Sequence, residues 1–143
     1  MTTEENKVLV RRYLEEFVNR GDTSIAAELF APDYVNHTTG GGISTGRDGM
    51  ARSIAAVKAA FPDWQVTIEA VVAEGDIVVD RFTIRATHTG SANGIPPSGR
   101  RIDTLGMHMW RVVEGKLAEG WYLTDAVSAV AAALVPVSPQ VPT

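Results

Sequence analysis

The sequence predicts an α+β domain, with N-terminal helices packed on a curved antiparallel sheet. Two observations predict it. Helical periodicity is confined to the first 60 or so residues, and strand alternation broken by short glycine turns takes over from residue 64. Helices first and strands last is the order of a layered α+β fold, not of repeated βαβ units.

The first helix is read over residues 4–19. Val10, Tyr13, Leu14, Phe17 and Val18 fall at i, i+3, i+4, i+7 and i+8 and form one apolar stripe. Thr2 with Glu5 fits a capping box at its start, and Gly21 fits a left-handed cap at its end. Asp22 and Thr23 then cap a short second helix, 24–30, which Ala31-Pro32-Asp33 breaks. Residues 34–46, with Tyr34-Val35-Asn36-His37 and Gly40-Gly41-Gly42, read as loop. The glycine run has no Lys-Ser/Thr and no strand-to-helix setting, so it reads as a flexible lip and not as a phosphate loop. A third helix is read over about 48–60 on the stripe Met50, Ile54, Val57 and Phe61, ended by Phe61-Pro62-Asp63.

Four strand runs follow: Trp64–Ala73, Ile77–Thr89, Arg100–Val113 and Lys116–Asp125. Glu74-Gly75-Asp76 and Glu114-Gly115 turn two of the junctions, and the loop Gly90–Gly99 holds Pro96-Pro97, so the set reads as an antiparallel meander. The alanine-rich stretch 126–134 reads as a last helical turn or two. Pro136, Pro139 and Pro142 mark 136–143 as a flexible tail, leaving one domain over 1–135. The strands carry apolar residues on both parities, among them Val71, Val72, Leu105, Met107 and Met109. A sheet apolar on both faces needs a second cover, and a homodimer or higher homo-oligomer supplies it; the other cover is the tail helix.

Composition excludes several classes. The chain has 143 residues, 45% hydrophobic and 21% charged, with no cysteine, which rules out a disordered chain, a disulfide scaffold and a thiol enzyme. The net charge of −4, with 13 scattered cations, argues against nucleic acid as partner. No apolar run approaches the roughly 20 residues of a membrane span, and Met1-Thr2-Thr3-Glu4-Glu5 is polar and acidic, unlike a secretion signal. The expectation is a cytoplasmic protein whose partner is a small molecule or its own copy.

Several local motifs are similar to those of the SnoaL-like polyketide (ester) cyclases, within the nuclear-transport-factor-2-like superfamily. They are Lys7-Val8-Leu9-Val10-Arg11-Arg12, Phe30-Ala31-Pro32-Asp33-Tyr34-Val35-Asn36-His37, Ala59-Ala60-Phe61-Pro62-Asp63, Ala86-Thr87-His88-Thr89-Gly90, Gly94-Ile95-Pro96-Pro97-Ser98-Gly99-Arg100, Glu114-Gly115-Lys116 and Glu119-Gly120-Trp121. The resemblance implies a cone-shaped α+β barrel with a pocket between sheet and helices. It also implies cofactor-free acid/base chemistry that closes a ring by an intramolecular aldol reaction. Related members act as hydroxylases or isomerases, and some members only bind.

In the cyclases an Asp just after the position of Trp121 is the acid/base, faced by a His on the preceding strand. His108 matches that His; the Asp position holds Tyr122. His108 shares its strand face with Gly106 and Trp110, and a neutral imidazole there is a base near neutral pH. Tyr122 shares a face with Gly120 and Thr124, and its phenol is a donor for an enolate or carbonyl oxygen. Asp125 either orients His108 or caps the tail helix. Asp80 and Arg81 are adjacent and face opposite ways. The expectation is Arg81 inward, where it would bind a carboxylate or carbonyl; with reversed parity, Asp80 becomes a base in place of the missing Asp. Phe17, Tyr34, His37, Met50, Trp64 and Trp110 complete the expected substrate contacts, suited to a flat hydrophobic molecule. His88 reads as structural. His37, His88 and His108 lie on separate elements without close ligand spacing, so no metal is expected; the resemblance implies no cofactor.

Overall fold

The structure, a computed structural model, describes residues 1–38, 46–91 and 94–135. The expected tail and the Gly40-Gly41-Gly42 run lie outside them. Helix α1, Thr3–Arg12, starts at Thr2, whose hydroxyl accepts from the Glu5 N–H at 3.1 Å. It runs on without a break into a wider π turn, Tyr13–Asn19, where the Arg20 N–H reaches back five residues to the Glu15 carbonyl. The wider turn keeps Tyr13, Leu14, Phe17 and Val18 all buried. A 3₁₀ turn, Thr23–Ile25, capped by the Asp22 carboxylate, leads into α2, Ala26–Leu29.

Strand β1, Phe30–Thr38, occupies the segment read as break and loop. Two local rules pointed away from a strand there: Pro32 lacks an N–H, and Asp33 is a poor strand former. Both fall in the irregular stretch between the paired residues Phe30 and Val35 of an edge strand, where no ladder bond is lost. Helix α3, Gly46–Ala60, covers the third predicted helix. The meander is β2 (Gln65–Glu74), β3 (Ile77–Thr87), β4 (Arg101–Val113) and β5 (Lys116–Thr124), followed by α4, Ala126–Leu134. The sheet order is β1-β5-β4-β3-β2; β1 lies parallel to β5 and every other neighbour is antiparallel. The sheet is therefore mixed and open, an α+β layer with the helices packed against it.

Even-numbered residues of β3 and β4 point inward and odd-numbered ones outward. At the β4–β5 hairpin Val113 pairs with Lys116 around a two-residue turn with both φ positive, 49° at Glu114 and 77° at Gly115, and an irregularity between Arg111 and Val112 then shifts the register by one residue along the rest of the pair. That turn geometry matches the twist of the strands. Under the sheet, Tyr13, Phe17, Phe30, Tyr34 and Trp110 form one aromatic cluster with ring centroids 4.7–6.3 Å apart. Such pairs contribute about 0.5–1.5 kcal/mol each beyond the burial of their area. Helix and sheet are also joined by a polar splice: the Asn19 amide donates to the Val66 carbonyl and accepts from the Val66 N–H, at 2.9 and 2.7 Å. No helix among the described residues is long and apolar enough to cross a membrane.

Candidate active site

The sheet register assembles the site. Asp80 on β3 pairs with His108 on β4, and His108 pairs with Tyr122 on β5, so one inward row crosses three strands. The next row is Phe82, Gly106 and Thr124. Gly106 is there because its neighbours' rings lean over it: a Cβ would lie 2.6 Å from Phe82 Cζ and 2.9 Å from Tyr122 Cε1. In the space this leaves, the His108 imidazole lies between rings. It stacks on Tyr122 (4.4 Å, 14°), Trp110 (4.5 Å, 26°) and Phe82 (5.3 Å, 25°).

These residues form one wall of a cavity of about 380 Å³. Tyr13, Leu14 and Val18 come from the first helix; Met50, Ser53, Ile54 and Val57 from α3; Trp64, Val66 and Phe82 from the linker and strands; Ala126 and Val130 from α4. Its polar side chains include Asn36, Ser53, His108, Tyr122 and Thr124, and Tyr13 and Trp64 bring a hydroxyl and an indole N–H on otherwise apolar rings. No Lys, Arg, Asp or Glu among the described residues lines it.

His108 is 4% exposed, and its Nδ1 lies 3.1 Å from Asp80 Oδ1. A carboxylate can only accept, so Nδ1 carries the proton of the neutral ring and Nε2 carries the lone pair. Burial pushes the Tyr122 phenol above the ordinary tyrosine range; the Thr124 hydroxyl opposes the shift and the Asp80 charge adds to it. The phenol thus stays a donor. Asn36 sits on the cavity wall with its Oδ1 taken by the Tyr34 hydroxyl at 2.9 Å, and its amide N–H groups have no acceptor among the described residues.

Of the expected residues, His108, Tyr122, Met50 and Trp64 line the cavity and the others do not. Arg81 is exposed, and Asp80, 1% exposed, faces inward, because β3 buries its even positions. Arg81 therefore has no access to the cavity. His37 also lies on the outer face: it pairs in register with Trp121, stacks on that indole at 5.3 Å, and bonds Glu119 at 2.7 Å. The Glu119 carboxyl is held below its usual range, chiefly by that bond. Asp125 is exposed at the start of α4 and touches neither His108 nor the cavity; its side chain makes no cap bond either. Phe17 is fully buried in the aromatic cluster, and Trp110 and Tyr34 lie behind the wall, holding Asp80 and Asn36. Asn36 and Asp80 are the residues the sequence reading undervalued. Each is a polar residue next to a more conspicuous cation or imidazole of opposite strand parity. His88 is fully buried and ties the 94–100 loop to α4 through Ser98 and the Ala133 carbonyl.

An apolar cup closed by helices, with an imidazole and hydrogen-bond donors on one wall, defines a small-molecule site of the α+β cone type. The SnoaL-like polyketide cyclase family model matches residues 8–133, and the chain belongs to that family. It is 33% identical over 104 residues to the nogalonic acid methyl ester cyclase of Streptomyces nogalater, covering 71% of this chain and 77% of that protein. Among solved structures it resembles IdmH of Streptomyces antibioticus, a candidate polyketide cyclase (TM-score 0.76, 32% identity, 88% of this chain and 96% of that one). It also resembles AclR of Streptomyces galilaeus, a candidate hydroxylase (TM-score 0.78, 29% identity, 99% and 91%).

Proposed function

We propose that this protein is a cyclase that joins two carbons of a neutral, ester-bearing polyketide by an intramolecular aldol reaction, without a cofactor. The observation that carries the reading is His108: its lone-pair nitrogen belongs to a ring in the wall of an apolar cavity, with the Tyr122 phenol stacked beside it. His108 Nε2 takes a proton from the carbon alpha to a carbonyl. The enolate oxygen is held by N–H or O–H donors, for which Asn36 and Tyr122 are placed. The carbanion attacks a second carbonyl, the new carbon–carbon bond forms, and the resulting alkoxide takes the proton back from the imidazolium. Substrate and product are isomers, so the step needs no oxidant.

The wall chemistry supports an uncharged substrate. A free carboxylate in the cavity would meet no cation among its described walls, and burying an unpaired charge is costly. The test is incubation with nogalonic acid methyl ester and, separately, its free acid. The ester is expected to give a product of unchanged mass, at the same rate with and without oxygen, and the acid to react at least tenfold more slowly. His108→Gln is expected to lower turnover at least a hundredfold while ligand affinity and thermal stability persist. Wild-type turnover in that variant rejects the mechanism, oxygen dependence points to a hydroxylase, and an unchanged ligand points to a binding protein.

We also propose a homodimer formed through the outer sheet face. Leu105, Met107, Met109 and Leu123 stand exposed there, and Leu123 retains 60% of its surface. The tail helix does not provide their cover, because Ala126 and Val130 of α4 face the cavity on the other side of the sheet. Met107→Glu is expected to yield monomers by analytical ultracentrifugation with the thermal transition retained; an unchanged sedimentation coefficient sinks the interface. The proposed setting is the cytoplasm, where a chain without cysteine has no disulfide to lose to a reducing medium.

A further inference from the structure

We propose that Asp80 and Trp110 form a clamp that holds His108 in the Nδ1–H tautomer with Nε2 toward the cavity, making both of them positioning residues. The inference rests on the reading of His108 as the base. Asp80 is a carboxylate with 1% of its surface exposed, and it is not part of the cavity wall. A charge placed there needs partners, and it has three. Oδ1 accepts from the His108 backbone N–H at 3.3 Å and from Nδ1–H at 3.1 Å; Oδ2 accepts from the Trp110 indole at 2.7 Å. The carboxylate cannot reach a substrate carbon, so it does not act as the base that the reversed parity would have allowed. It acts through the imidazole, by fixing which nitrogen carries the proton.

Trp110 supplies the second half of the argument. The indole N–H is a donor only and is fully buried, so it can be satisfied by an acceptor alone. Its bond is the shortest of the three and pins the carboxylate plane. Tyr13 packs edge-on against both His108 (5.7 Å, 90°) and Trp110 (4.9 Å, 67°), which leaves the assembly little room to turn.

An amide at position 80 makes the idea testable. In Asp80→Asn the single carbonyl oxygen goes to Trp110, whose bond at 2.7 Å is shorter than the 3.3 Å one from the His108 backbone N–H, and the amide N–H₂ then turns toward His108 Nδ1. The ring must then accept at Nδ1 and carry its proton on Nε2, the wrong nitrogen for the base. Nitrogen-15 shifts of labelled histidine in the ligand-free protein report the tautomer directly. The expected results are a change to the Nε2–H form in Asp80→Asn and a fall in kcat of roughly 10²–10⁴-fold, with KM moving much less. In the double variant Asp80→Asn with Trp110→Phe, the amide is free to turn its oxygen to Nδ1–H. The tautomer should return there, and kcat should recover at least tenfold over Asp80→Asn. Asp80→Asn with unchanged tautomer and kcat within twofold overturns the clamp, and so does a double variant no more active than the single one. If thermal melts show Asp80→Asn unfolded, Trp110→Phe alone decides: kcat about tenfold lower at unchanged KM supports the clamp, and unchanged kcat overturns it. His108→Gln with wild-type turnover defeats the proposed mechanism instead, and the nitrogen shifts, read without substrate, still decide the clamp.

Discussion

At the residue scale, Tyr122 stands where the family resemblance implies a carboxylate, and its chemistry is different in kind. A buried phenol whose ionisation is pushed up keeps its proton beyond the ordinary tyrosine range, so in the proposed mechanism it donates to negative charge on oxygen and leaves proton abstraction to His108. Tyr122→Phe keeps the ring that stacks on His108 and removes only the hydroxyl. The expected outcome is a fall in kcat of about 10²–10³-fold, the scale of losing one oxyanion donor, with a nearly unchanged thermal midpoint. Steady-state kinetics and a melt on the same preparation check both halves. Arg81 shows the complementary lesson. A cation inside an apolar strand draws the eye, but its neighbour Asp80 faces the site, because β3 buries even positions.

At the element scale, the site depends on a bare strand position. Gly106→Ala would drive a methyl group into Phe82 and Tyr122, whose atoms lie 2.6 and 2.9 Å from the ideal Cβ. Both rings pack on His108 or beside it, so neither moves alone. Overpacking of this kind costs about 1–3 kcal/mol, to be read from urea unfolding, and turnover should fall with it. The π turn after α1 was invisible in the apolar stripe, since Tyr13, Leu14, Phe17 and Val18 suit the inner face of either helix type. Strand β1 was hidden by Pro32 and Asp33, local signals that edge position and irregular pairing override.

At the scale of the whole molecule, all three tyrosines are buried or nearly so, and burial raises each phenol above its ordinary range. The sign of the linkage follows. Above about pH 10 the unfolded chain releases phenol protons that the folded chain retains, so the unfolded state binds fewer protons and stability falls as pH rises. The expected outcome is less tyrosinate absorbance in the folded protein at pH 10 than in the urea-unfolded chain. Tyr13 and Tyr34, the two buried phenols, should ionise with loss of the far-ultraviolet helical signal. The full tyrosinate signal in protein that remains folded would contradict this burial.

The N-terminal helices and the meander were legible in the chain, because period and turn residues are local properties; His108 and Tyr122 were singled out through the family resemblance. That the two share the cavity wall required the register, which depends on the irregularity between Arg111 and Val112 as well as on the Glu114-Gly115 turn, and which only pairing reveals. Parity relative to the core settled Asp80 over Arg81 and Asn36 over His37. A strand apolar on both faces carries no local mark of which face the helices cover. The sequence determined which groups were available for proton transfer. The tertiary structure alone decided which of them meet, because a one-residue shift in register sends every side chain of a strand to the opposite face.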